Sequence, residues 1–188
     1  PPPEPSKPEK PAEPKEPAFL KEGLMAYYPL TGNASDASGN DHNGAVIGAK
    51  LTKDRHSNPN SAYNFDGVDD VIEIPSPLGM HQGAVKTIAT WVAPAEKDST
   101  GYLVSKDRNG APLNEGGWRL QITTDKYLFF RYKKPGEGES ARSETRLTLA
   151  AGEWTHVAST RVGNQVRLYQ DGELIGSPKI VTRANPRD

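Results

Sequence analysis

From Phe19 onward, apolar and polar residues alternate in short runs separated by clusters of Gly, Asn, Asp and Pro. That period-2 pattern predicts antiparallel strands, and no segment carries a helical period. The predicted strands are residues 24–28, 45–47, 62–65, 71–74, 87–92, 102–106, 118–123, 127–132, 145–149, 155–161, 165–170 and 173–175. So many short strands exceed what one small barrel holds and point to an all-β, two-sheet antiparallel sandwich.

The run from Trp154 to Ile175 is the most legible. Gly163-Asn164 and Asp171-Gly172 are dipeptides that accept positive φ and close tight hairpins, so a three-stranded meander is expected. Alternation puts Trp154, His156 and Ala158 on one side of their strand and Val166 and Leu168 on one side of the next. Their apolar members are expected to face the second sheet.

Composition divides the chain. Eight of its 17 prolines fall within the first seventeen residues, interleaved with Glu and Lys. Residues 1–18 therefore read as an extended polyproline II linker with a reach on the order of 50 Å, and residues 19–188 as one domain. Without the arm, basic and acidic residues balance at 20 each. A neutral body with only short basic runs argues against nucleic acid, which demands a clustered positive field. No apolar run is long enough for membrane insertion. Zero cysteines exclude disulfides and thiolate metal sites and leave oxygen ligands of the calcium type.

Three blocks carry a family resemblance: GLMAYYPLTGNASDASGNDHNGAVIGA, AYNFDGVDDVIEIP and GEWTHVASTRVGNQVRLYQDGELIGS. Together they resemble the laminin-G-like jelly-roll domains of bacterial multidomain surface and secreted proteins. The resemblance implies a concanavalin A-like jelly roll, an extracellular, cell-surface or periplasmic location, and a partner that is a glycan or an extracellular protein. It also implies a closing strand after the Asp171-Gly172 hairpin. The chain ends RANPRD without one, so the domain is expected to lack its final strand, and the edge this exposes is expected to be paired by the terminal segment, covered by a partner, or completed by a strand outside this sequence.

Asp36 and Asn40, with Asn33 and Asp41 in the same loop, offer the hard oxygens that calcium prefers, and the resemblance implies a structural calcium nearby. The competing reading, an Asx-rich turn, is favoured because no spaced Asp-x-Asp-x-Asp-Gly loop is present. Asp66 and Asp69, with Asp70, form a second candidate metal cluster, set against a plain β-turn at Asp66-Gly67. Trp118 and Tyr132 are the candidate ligand-binding aromatics, although core packing is the default for Trp91, Trp118 and Trp154 alike.

Glycoside hydrolysis needs two carboxyls flanking the bond. The nearest pattern, Asp69-x-Val71-x-Glu73, lacks its middle acid, and the four histidines form no hydrolytic constellation. His156 reads as a packing residue. The expectation is a non-catalytic binding or adhesion module that takes carbohydrate, with no catalytic residues and no cofactor beyond a structural calcium. A glycosidase or lyase of the same fold, and a structural or protein-interaction spacer, are the alternatives.

Overall fold

The computed structural model describes residues 21–74, 85–96, 100–106, 117–134, 137–142, 146–163 and 165–180, with backbone alone at 85, 117, 132–134, 137–142, 179 and 180. The proline-rich stretch 1–18 lies outside the described residues. The chain divides into two compact units, Pro1–Leu78 and Gly79–Asp188.

In the first unit, β1 (Ala45–Ile47) pairs antiparallel with β4 (Val71–Glu73), and β2 (Lys50–Thr52) pairs with β3 (Ala62–Asn64). The segment predicted as a strand at 24–28 is not one. Several of its polar backbone groups are taken by side chains instead of a ladder: the Tyr27 amide donates to Asp36, and Asn40 donates to the Leu24 and Met25 carbonyls, while the Tyr27 carbonyl accepts the Ala37 amide. A backbone satisfied locally by Asp and Asn has no need of a partner strand.

The second unit holds two antiparallel sheets. One follows the order β12 (Glu173–Leu174), β11 (Gln165–Gln170), β10 (Thr155–Val162), β5 (Val85–Val92), with β13 (Lys179–Ile180) also pairing β11. The other runs β6 (Gly101–Ser105), β7 (Gly117–Ile122), β8 (Leu128–Lys134), β9 (Glu137–Arg142). The expected meander is present: Val162 pairs Gln165 and Gln170 pairs Glu173, each across a two-residue loop. Asp171 and Gly172 both have positive φ, 50° and 86°, the backbone a type I′ hairpin requires.

The inner faces meet in one core. Ile88, Val157, Val166, Leu168 and Ile175 from the first sheet and its flank pack with Trp118, Leu120, Ile122, Leu128 and Phe130 of the second. Leu120, Leu128, Val157 and Val166 are fully buried, each burial favouring the fold by about 2 kcal/mol. This is the all-β sandwich that the alternation predicted.

Two expectations change. Val166 and Leu168 face the core as predicted, but β10 turns Val157 inward, so His156 and Ala158 lie on the opposite face. The sequence ALA-SER-THR after Val157 offers little apolar contrast between faces, and the pairing of Ser159 with Leu168 decides the parity. Residues 146–149, the described part of the predicted strand 145–149, form no strand. Gln170 holds this segment through Thr148 N–H to Oε1 (3.2 Å) and Nε2–H to Thr148 O (2.9 Å), which lets Leu147 reach the core without joining a sheet.

Candidate functional site

Asp36 is the organiser of its loop. Its Oδ1 accepts the Tyr27 amide at 2.9 Å and the Ser38 amide at 2.8 Å, while Oδ2 accepts the Ser38 hydroxyl at 2.8 Å and the His42 amide at 3.1 Å. Burial alone would raise its pKa. The bonds from Tyr27, Ser38 and His42 outweigh that and bring it down to about 2, because each stabilises the charged form. Four donors leave the carboxylate little free for a cation, and the Asn40 amide nitrogen ties the loop to the Leu24 and Met25 carbonyls. The bond from the Ser38 amide to Asp36 Oδ1 is that of an Asx-turn. Beside it, burial and the nearby Asp36 charge push the Tyr28 phenol up to about 12, and its hydroxyl donates to the His42 carbonyl at 2.7 Å.

Asp66, Asp69 and Asp70 do converge. One oxygen from each lies within 4.8 Å of the others, at the turn leading into β4. Asp66 Oδ1 accepts the Val68 amide at 2.8 Å and Asp70 Oδ2 accepts the Asp66 amide at 2.9 Å. The Val68 bond, against a smaller opposing effect of burial, holds the Asp66 carboxyl below its usual range, with further help from the Asp69 and Asp70 amides and Lys50. Oxygens not used in these bonds make a hard, anionic donor set of the kind calcium takes, so the trio could hold a metal ion. Asp69 also stands ahead of β4 rather than in it, so it does not share the strand with Glu73.

The aromatic candidates divide differently from expectation. Trp118 is 4% exposed and belongs to the core, because it shares parity with Leu120 and Ile122. Its indole therefore fills the sandwich instead of offering a platform. Tyr132 pairs with Trp118 and stands at the same-parity position of β8, while its side chain lies outside the described residues. Trp91, expected in the core, is 42% exposed. Ile88 and Val92 take the inward positions of β5, which turns Trp91 to the far face, where its ring meets that of His156 at 5.2 Å.

Sequence reading missed the opposite face of the β6–β9 sheet. Register aligns Tyr102 with Gln121, Gln121 with Phe129, and Arg119 with Arg131, all on the side away from the core. Tyr102 is 56% exposed. Arg119 stacks over its ring, 4.9 Å from the centroid, and donates Nη1–H to its hydroxyl at 3.0 Å. An exposed ring edged by guanidinium and amide groups is the chemistry that recognises a polar, partly apolar ligand such as a sugar. The signal in the sequence was the polar parity of Arg119 and Gln121 beside the apolar parity of Trp118, Leu120 and Ile122.

Two antiparallel sheets closing on one apolar core, in a chain with no helix among its described residues, define a β-sandwich domain of the jelly-roll class. The sequence agrees. The model of the concanavalin A-like lectin/glucanases superfamily matches residues 66–188, and the chain belongs to that family. Domain 4 of AbnA, a GH43 extracellular arabinanase from Geobacillus stearothermophilus, solved in complex with arabinotriose, is 19% identical with a TM-score of 0.54, covering 87% of this chain and 76% of that one. An S-layer domain-containing protein from Clostridium thermocellum is 23% identical with a TM-score of 0.49, covering 82% of this chain and 71% of that one. No curated protein matches the chain. No helix among the described residues is long and apolar enough to cross a membrane.

Proposed function

We propose that this chain is a non-catalytic glycan-binding module of a secreted or cell-surface protein, and that saccharide lies along the outer face of the β6–β9 sheet. The observation that carries the reading is the exposed Tyr102 ring with Arg119, Gln121, Phe129 and Arg131 aligned beside it on one face. A ring face suits the apolar C–H surface of a sugar, and the amide and guanidinium groups suit its hydroxyls. The arabinotriose held by the AbnA domain is in keeping with a sugar as ligand, as is that enzyme's extracellular setting with an extracellular location here.

Asp66, Asp69 and Asp70 would hold a calcium ion in a structural role. When bound, the ion would neutralise three crowded carboxylates and brace the turn before β4.

A glycan array with and without chelator, followed by a reducing-end assay on every positive, tests this function. Retention of a polysaccharide without release of reducing ends is expected. Absence of binding under both conditions, with a protein captured instead, would sink the glycan reading. Release of reducing ends would sink the non-catalytic one.

A further inference from the structure

Strand register assigns to one face of the β6–β9 sheet basic positions that the linear sequence disperses. By register, Arg119 pairs Arg131, Arg131 pairs Ser140, Lys133 pairs Gly117, and Phe129 pairs Arg142. Arg119, Arg131, Lys133 and Arg142 thus stand at same-face positions. Glu137 and Glu139 pair Lys134 and Tyr132 and so stand at positions of the opposite parity. No acidic residue occupies a paired position on the basic side, in a chain whose basic and acidic residues otherwise nearly cancel.

Like charges directly opposite across two strands oppose sheet formation. The Arg131 side chain is half-buried and makes no hydrogen bond or ion pair with the side chain of a described residue. One pairing away, Gln121 Oε1 is buried without a donor among the described residues. A planar guanidinium on a sheet face is matched in shape and charge by a carboxylate, which it binds through two parallel N–H bonds.

We infer that this face binds an acidic polysaccharide, a glycan whose ring carboxylates lie against Arg131 and Arg119 while its sugar faces pack on Tyr102 and Phe129. The inference rests on the glycan-binding reading above and names its ligand class. Charge complementarity selects the acid, and the two aromatic rings select a sugar polymer over other polyanions.

Titration calorimetry of the full chain with polygalacturonate, its methyl ester, arabinan and single-stranded DNA tests it. Polygalacturonate is expected to bind, and esterification to weaken binding roughly tenfold or more, the effect of losing a charge-assisted bond. Arg131→Gln should weaken polygalacturonate binding roughly tenfold and leave the ester unchanged. Arg55→Gln, the same charge change at an exposed loop position of the other unit, should leave both unchanged. Thermal unfolding of each variant guards against a folding defect. Equal affinity for acid and ester, equal effects of the two substitutions, or equally tight DNA binding would overturn the inference. Binding of arabinan alone would overturn it while the glycan-binding reading stands; binding of no glycan would sink both.

Discussion

The Arg119 guanidinium caps the Tyr102 ring at 4.9 Å and bonds its hydroxyl at 3.0 Å, so the ring and the charge hold one another in place. Removing the ring takes away a stacking surface together with its contacts to Arg119, whereas Tyr102→Phe removes only the hydroxyl. Tyr102→Ala is expected to lower glycan affinity roughly tenfold or more, and Tyr102→Phe by roughly threefold. Calorimetry with the best glycan from the array checks the order. A Phe variant as weak as the Ala variant would mean that the hydroxyl, not the ring, makes the contact.

Asp36 predicts a pH dependence whose sign follows from its environment. Its folded pKa lies near 2, below the ordinary carboxylate value of 3.8. Stability from its hydrogen bonds is therefore fully present above about pH 4 and is lost as pH falls through about 2. Thermal unfolding followed from pH 5 to pH 2 should show a declining midpoint in the parent chain. Asp36→Ala should already be less stable at pH 7, by about 1–2 kcal/mol, and should decline less steeply in acid.

Gly48 predicts a steric cost. Its φ is +76°, and a Cβ there would run into the Asp70 carboxylate. Gly48→Ala combines backbone strain with displacement of Asp70, so it should cost about 1–3 kcal/mol in denaturant unfolding. Gly67→Ala, with similarly positive φ but open space at the Cβ position, should cost less.

Calcium, if the Asp66–Asp69–Asp70 trio binds it, stabilises the folded form by mass action. Added calcium should raise the thermal midpoint of the parent chain, chelator should reverse the rise, and Asp69→Asn should abolish it. Asp36→Asn should retain the calcium response, because the Asp36 oxygens are already taken by four donors. A response that follows Asp36 instead would move the cation to the other loop.

Much of the fold was legible where local chemistry and tertiary pairing agree. Gly163-Asn164 and Asp171-Gly172 announce two hairpins because few other dipeptides tolerate such turns. β9, Glu137–Arg142, carries no apolar alternation, and its position as an edge of the second sheet explains why none is needed. The sequence also overstated the strand at 24–28, since the bonds that displace it come from side chains up to 16 residues away. The site was less legible than the fold. Trp118 drew notice as an aromatic, yet its parity with Leu120 commits it to the core. Arg119, Arg131, Lys133 and Arg142 are scattered in sequence, and strand register alone brings them to one face.

Leu120 tests the sandwich itself. It is 0% exposed at the centre of the core, and Leu120→Ala should cost about 2–5 kcal/mol by leaving a cavity between the sheets. Arg131→Gln, on the outer face, should leave stability almost unchanged, and equal losses in denaturant unfolding would contradict the assignment of faces.

The central claim, that glycan lies on the outer face of the β6–β9 sheet, is tested most directly by nuclear magnetic resonance titration of the isotope-labelled chain with oligogalacturonate. The account predicts shifts concentrated at Tyr102, Arg119, Gln121, Phe129 and Arg131. Shifts centred instead on Trp91 and His156, or on the Asp66–Asp70 turn, would contradict it.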